Sequence, residues 1–387
     1  MVGRNCSAFA LSLGVVLLLS SCGDGTGPNE RLGGLFSVAN GDDHVCLLQQ
    51  NGSAHCWGWG GFGQLGDGDT LNYRAPTKVQ GGLEFATIAS GSAHTCGLTH
   101  NGTAYCWGGN AVGALGKQNT IFLSKLPLKV DGGLRFSSIS AGTGYTCGVA
   151  LDEAGYCWGS GGSGELGTGV DEDTFVPTVV AGNLHFNDIS TSLFHTCGLT
   201  KSGAAYCWGD NLYGMLGSGD LVNHSTPTPV LGGLVFKRIG TGDFFSCGLT
   251  EAGQAWCWGS NVSNELGNGT QVNHVTEPVQ VVGGQVFVTI AVGSYHACGI
   301  TASFKLYCWG ANTYGKLGIG STLSTTEPVL VNGNHRFVAV SAGGNHTCGI
   351  AQDEGALCWG WNALGQLGNG QRDPEYIPVE VIPTYRE

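Results

Sequence analysis

Fourteen cysteines stand in seven pairs, the two members of each pair ten positions apart. The pairs are Cys46 and Cys56, Cys96 and Cys106, Cys147 and Cys157, Cys197 and Cys207, Cys247 and Cys257, Cys298 and Cys308, and Cys348 and Cys358. Thiols at this spacing can oxidise to a disulfide or share a soft metal ion. Nine intervening residues and no fixed His–Cys set weigh against zinc. An even count with none left over favours seven disulfides, and no metal is expected. A histidine lies two residues before the first cysteine in five pairs: His44, His94, His195, His296 and His346. Tyr145 and Phe245 take that position in the other two. A ring of histidines suggests a metal, but substitution by Tyr and Phe suggests packing. Gly58–Gly63 and Gly159–Gly164 both match G-x-G-x-x-G, but a dinucleotide site needs a helix next, and here Leu-Gly and a further loop follow. Asp67-Gly68-Asp69 and Asp171-Glu172-Asp173 complete no twelve-residue calcium loop. With no nucleophile motif or phosphate-binding lysine, the chain reads as a non-enzyme without a cofactor.

The elements that hold these cysteines repeat with them. First cysteines recur at intervals of 50 or 51 residues, and every second cysteine precedes Trp-Gly. A period this regular means one supersecondary unit copied seven times. Each unit holds four short β-prone runs separated by Gly-rich turns, a four-stranded meander. A proline run carries Pro-x-x-Val (Pro76/Val79 to Pro378/Val381), and the next carries a phenylalanine (Phe36, Phe85, Phe136, Phe186, Phe236, Phe287, Phe337). The two cysteine runs form a hairpin. Gly52, Gly102, Gly203 and Gly253 suit a three-residue loop ending in a left-handed residue. Glu153, Phe304 and Glu354 at that position imply different turns in units three, six and seven. Counting outward from the loop puts each cysteine pair on a non-hydrogen-bonded pair, where side chains come closest. Cys96 and Leu98 face one way, Gly97 and Trp107 the other, which suggests that the glycine makes room for the indole. Both sheet faces are then apolar or small and need cover, as in stacked blades. The chain enters at Phe36 and leaves after a proline run. With that run as the first strand of each unit, these features predict an all-β, seven-bladed propeller of four-stranded blades, closed by one blade shared between N- and C-terminal strands.

Residues 1–21 read as a lipoprotein signal: Arg4, an apolar run from Ala8 to Leu19 that is too short to span a bilayer, then Leu19-Ser20-Ser21-Cys22. The last four resemble a bacterial lipobox, which implies lipidation of Cys22. Residues 22–31 form the lipidated cysteine and a flexible tether, and 32–387 the propeller. An exported, lipid-anchored protein of the bacterial cell envelope is expected, in a compartment where paired cysteines oxidise. The net charge of −12 and the lack of a basic run argue against nucleic acid as a partner.

The run His94-Thr95-Cys96-Gly97-Leu98-Thr99…Tyr105-Cys106-Trp107-Gly108-x-Asn110-x-x-Gly113-x-Leu115-Gly116 and its six further copies resemble the repeat of the regulator of chromosome condensation family over roughly residues 33–382. Asn recurs at Asn211, Asn261, Asn312 and Asn362, while Gly60 and Gly161 replace it in two units. The resemblance implies a seven-bladed propeller. It offers two roles from relatives: a guanine nucleotide exchange factor, or an inhibitor of an extracytoplasmic enzyme acting through loops on one face. Export, acidity and the lack of a basic tail speak against the first.

In a meander of this kind the Gly-x-x-His loops and the long Leu-Gly-to-Pro loops share one face, and these segments differ most between units. Three consecutive units carry an aromatic three residues before the first cysteine: Phe194, Phe244 and Tyr295. With Phe245 and Tyr145 these are the candidate binding residues, since large aromatics on a loop face are favoured anchors. The expectation is a monomeric module that binds a protein or glycan there.

Overall fold

The computed structural model describes residues 35–118, 121–352 and 354–383, apart from the side chain of Phe36. The expected signal, Cys22 and the tether lie outside the described residues. The described chain forms seven antiparallel sheets of four strands, each built from consecutive strands. In blade one these are Leu35–Asn40, His44–Gln49, Ala54–Gly58 and Tyr73–Lys78; in blade seven they are Phe337–Ala342, His346–Ala351, Gly355–Gly360 and Glu375–Glu380. The phenylalanine strands are innermost and the proline strands outermost. The protein is an all-β, seven-bladed propeller.

Among the described residues no blade is shared between the N- and C-terminal strands. Each proline strand pairs with the Trp strand before it, Cys56 opposite Thr77, and Val79 N–H donates to Ala54 O at 2.9 Å. A proline without an N–H is tolerated on that outer edge. The GG turns therefore carry the chain from the rim of one blade to the axis of the next. Gly81 and Gly82 adopt φ of 101° and 67° there, open to glycine at no steric cost. The ring is closed by side chains and loops instead. Asn40 donates from its backbone N to Ser341 Oγ (2.9 Å) and from Nδ2 to Ser341 O (3.0 Å). Val45, Leu47 and Trp57 of blade one share an apolar cluster with Cys348, Ile350 and Leu367 of blade seven.

All seven cysteine pairs are disulfides. In chain order Cys46 is bonded to Cys56, Cys96 to Cys106, Cys147 to Cys157, Cys197 to Cys207, Cys247 to Cys257, Cys298 to Cys308, and Cys348 to Cys358. Their Cα–Cα distances of 4.0–4.1 Å are the close approach of a non-hydrogen-bonded pair. All fourteen cysteines are fully buried. Cys207, Cys257, Cys308 and Cys358 pack in the same apolar clusters as the Trp of the next blade or of the closing junction. The disulfides are thus interior clips and present no sulfur to the loop-bearing surface.

The space beside Gly97 is filled by Phe85 and not by Trp107: a Cβ on Gly97 would lie 2.5 Å from the Phe85 ring. Gly148, Gly198, Gly248, Gly299 and Gly349 stand in the same relation to Phe136, Phe186, Phe236, Phe287 and Phe337. The Phe ring also lies beside a Trp, 5.6 Å away for Phe85 and Trp107. The hairpins of blades three and six keep the glycine turn, since Glu153 and Phe304 take positive φ of 73° and 64°. Only blade seven departs, with the left-handed residue moved on to Gly355 (φ 86°).

Candidate functional site: the loop-bearing face

Each Trp strand ends in a long loop that leaves one end of the ring, here called upper, and dips between its own blade and the next. The loop leucine (Leu65 in blade one) is fully buried there. The carbonyl just before it receives the indole of the next blade: Trp107 Nε1 donates to Gln64 O at 2.9 Å, and Trp57 donates to Gln366 O at 2.9 Å across the closing junction. The repeated Asn holds the loop in shape; Asn211 Oδ1 accepts Leu216 N–H at 3.0 Å while its Nδ2 donates to Asp220 O at 3.0 Å. The Gly-x-x-His loops emerge at the same end, as the meander implied, and Trp59 N–H donates to Asp43 O at 2.9 Å.

The histidines are fasteners between blades. His44 Nε2 lies 2.8 Å from Thr95 Oγ1, and that hydroxyl lies 2.9 Å from Gln64 O. A carbonyl only accepts, so Thr95 spends its proton there and His44 must donate from Nε2. His94 with Thr146, His195 with Ser246 and His296 with Thr347 repeat the bond at 2.7–2.8 Å. Burial pushes these imidazoles down, His44 to about 3 and His94 to about 4. The two substitutions follow the same logic. Tyr145 OH donates to His195 O at 2.7 Å, while Phe245 faces Ala297 in an apolar cluster. Both rings are fully buried, so Tyr145 and Phe245 belong to the blade junctions and not to the exposed patch expected of them. The closing junction breaks the pattern: Val45 stands at the repeat position where four other junctions have a hydroxyl, and neither ring nitrogen of His346 has a hydrogen-bonding partner among the described residues.

The other three candidates do reach the upper surface. Phe194 is 38% exposed. Phe244 and Tyr295 are half-buried with ring centroids 6.0 Å apart, and Tyr213 packs edge-on against Phe244 at 5.5 Å. Lys316 lies under this group, 5.6 Å from the Tyr295 centroid, and donates to Asn345 Oδ1 at 2.9 Å. Burial lowers its pKa to about 8, against the pull of Asp243 and Glu265. The long loops of blades four to six also expose aliphatic side chains that the aromatic pattern does not mark, Leu212 (62% exposed), Val222, Val262 (68%), Val272 and Leu323 (76%), while Phe62, Leu71, Phe122 and Val170 are exposed on blades one to three. One signal was available. The residue after the repeated Asn is Gly61, Ala111, Gly162, Leu212, Val262, Thr313 and Ala363 in the seven units, and it is large and apolar only in blades four and five.

On the axis at this end the innermost strands leave a cavity of about 90 Å³ lined by glycine, serine and threonine from all blades, with Asp42 and Asp243 at its mouth. Burial raises the pKa of both, that of Asp243 to about 7 with the Asp42 charge adding to the effect. Asp43 beside them is raised to about 6, again mainly by burial. The acidic loop motifs bind their own backbone: Asp69 accepts Leu71 N–H at 2.8 Å and the Tyr73 hydroxyl at 2.6 Å. Gly58–Gly63 and Gly159–Gly164 run from strand into loop, so the phosphate-binding reading has no helix to rest on.

Comparison with known proteins agrees with this architecture. The RCC1-like domain profile matches residues 24–286, and the regulator of chromosome condensation (RCC1) repeat matches residues 305–350, 287–316 and 337–366. The ultraviolet-B receptor UVR8 of Arabidopsis thaliana is 29% identical over 148 residues, which is 37% of this chain and only 33% of that protein. Human WBSCR16 superposes with a TM-score of 0.76 at 21% identity, over 82% of this chain and 87% of that one. Prp20p of Saccharomyces cerevisiae gives 0.76 at 21% identity, over 90% and 87%. With its profile spanning well over half the sequence, and with seven blades, seven Trp-Gly strands and seven Leu-Gly loops in place, the chain belongs to the RCC1-like family of β-propellers.

Proposed function

We propose that this protein is a non-catalytic binding module that engages a protein partner through the upper face, in the sector of blades four to six. The observation that carries the reading is the aromatic group packed across three neighbouring blades at that face, flanked by exposed aliphatic side chains on the same loops. Leu212, Val222, Val262, Val272 and Leu323 project from three consecutive loops that flank the interlocked Tyr213, Phe244 and Tyr295. Soluble surfaces seldom gather apolar groups in one sector unless a partner covers them, and aromatic anchors ringed by such contacts are the usual energetic centre of an interface. A protein suits this surface better than a glycan because the loop tips are aliphatic. The seven disulfides fit an oxidising compartment, and a lipid on Cys22 would tether the module to an envelope membrane.

The test is affinity capture from envelope extracts with oxidised protein as bait, beside a Leu212→Ser, Val262→Ser, Leu323→Ser variant and a Val235→Ser, Val286→Ser variant at the opposite end. A partner kept by the parent and the second variant but lost by the first supports the reading. Equal retention by all three overturns it. Mass spectrometry of the N-terminal peptide checks the anchor, which is refuted by an unmodified Cys22.

A further inference from the structure

The two ends of the ring differ in charge. Among the described residues, the connections at the upper end carry 13 carboxylates, of which Glu165 and Glu265 are buried, against three Lys or Arg, of which Lys316 is buried. The connections at the other end carry six carboxylates against four Lys or Arg. The acidity of the chain is thus concentrated on the loops that also expose the apolar sector. At the centre of that face Asp42 and Asp243 look into the axial cavity, whose walls are small and uncharged. Each meets a hydroxyl of the following blade, Ser92 for Asp42 and Ser294 for Asp243. These carboxylates are partly desolvated, and the Asp42 charge adds to the cost of ionising Asp243.

From this charge distribution we infer that the partner presents a basic protein surface, with Lys or Arg side chains around an apolar contact and one cationic side chain seated in the axial mouth between Asp42 and Asp243. The inference rests on the upper face being the binding face and adds the chemistry of what binds. A field of one sign focused over a low-dielectric depression attracts the opposite charge and speeds encounter. Polyphosphates, nucleic acids and anionic membranes are repelled by the same field. A free small cation would satisfy the mouth but leave the aliphatic loop tips uncovered, so the cation must come on a partly apolar surface.

The experiment uses two synthetic peptides of equal length with the same Leu and Phe positions, one with Lys at every polar position and one with Glu. Binding to the oxidised mature protein is followed by fluorescence anisotropy. The Lys peptide should bind at least about tenfold more tightly than the Glu peptide, and should weaken several-fold between low and moderate salt. Neutralising Asp42→Asn, Asp243→Asn and Glu172→Gln together should cost the Lys peptide about five- to tenfold, and Glu84→Gln, Glu251→Gln and Glu380→Gln at the other end less than about twofold. Asp43→Asn with Asp171→Asn and Glu172→Gln, which leaves the mouth intact, guards against a folding defect and should also weaken binding. Equal affinity for the two peptides, or equal loss from the two ends, overturns the inference. The Leu212→Ser, Val262→Ser, Leu323→Ser variant separates the two readings. If it abolishes binding of either peptide, the face stands whatever the charge result. If it changes nothing while upper neutralisation does, the charge stands and the apolar sector falls.

Discussion

Val45→Thr should stabilise the protein, because it supplies a hydroxyl at the junction where buried His346 has none to bond. At four junctions a threonine or serine hydroxyl sits between a histidine of the preceding blade and a loop carbonyl, at 2.7–3.0 Å on both sides. At the closing junction Val45 occupies the hydroxyl position, fully buried, and His346 finds no partner among the described residues. A threonine there can accept from His346 Nε2 and donate to Gln366 O, the carbonyl already serving Trp57. Two buried hydrogen bonds at a net ~0.5–1.5 kcal/mol each give an expected gain of about 1–2 kcal/mol once the cost of burying the hydroxyl is met. The mirror change, Thr95→Val, strands His44 Nε2 and should cost about 1–3 kcal/mol. A third variant, His346→Phe with Val45→Ala, copies the Phe245/Ala297 junction and should be neutral to stabilising. Guanidinium unfolding of the oxidised protein, with the denaturant slope unchanged between variants, measures all three. A loss of stability in Val45→Thr, or a Thr95→Val variant as stable as the parent, would refute the fastener account.

Stability should fall steeply in acid. His44, His195 and His346 are held near 3 and His94 near 4 by burial. The unfolded chain therefore takes up protons between about pH 6.5 and those values that the folded chain refuses, at about 1.4 kcal/mol per proton per pH unit. Asp43, Asp188 and Asp243, raised to about 6, 6 and 7, act in the opposite direction between their folded values and the ordinary carboxylate range, and only partly offset the loss. Unfolding midpoints measured from pH 8 to pH 4 should drop below pH 6.5, and a flat profile would contradict the burial of the imidazoles. Gly97→Ala drives a methyl against Phe85 and should cost about 1–3 kcal/mol in the same denaturation assay. Removing one clip as Cys147→Ala with Cys157→Ala should cost about 2–3 kcal/mol, seen as a lower guanidinium midpoint and little change in circular dichroism.

The architecture was legible because the residues that build it recur in register. Cysteine spacing set the hairpin, Trp-Gly and Leu-Gly marked strand and loop, and the seven copies fixed the blade number. Three features could not be assigned from one unit alone. The proline run can pair forwards or backwards, and only the backbone bond of Val79 to Ala54 decides it. Gly97 could serve either of two neighbouring rings, and the choice depends on sheet twist. Tyr145 and Phe245 look like surface anchors in the chain but stand in the histidine position, whose burial comes from the next blade. The exposed patch was half visible: Phe194, Phe244 and Tyr295 stood out as aromatics, whereas Leu212 and Val262 are ordinary residues whose meaning lies in the small residues that replace them in other units.

Because each loop finishes the interior of the blade that follows it, the seven units are not interchangeable parts. The Phe245/Ala297 contact shows a change on one unit answered by a change on the next, and the Tyr145 hydroxyl reaches His195 O and Thr196 in the same way. A blade transplanted from one position to another would carry one half of two such agreements and break both. Variation in this ring is therefore expected to travel in adjacent pairs across a junction, while exposed loop-tip side chains such as Leu212 and Val262 are free to change alone.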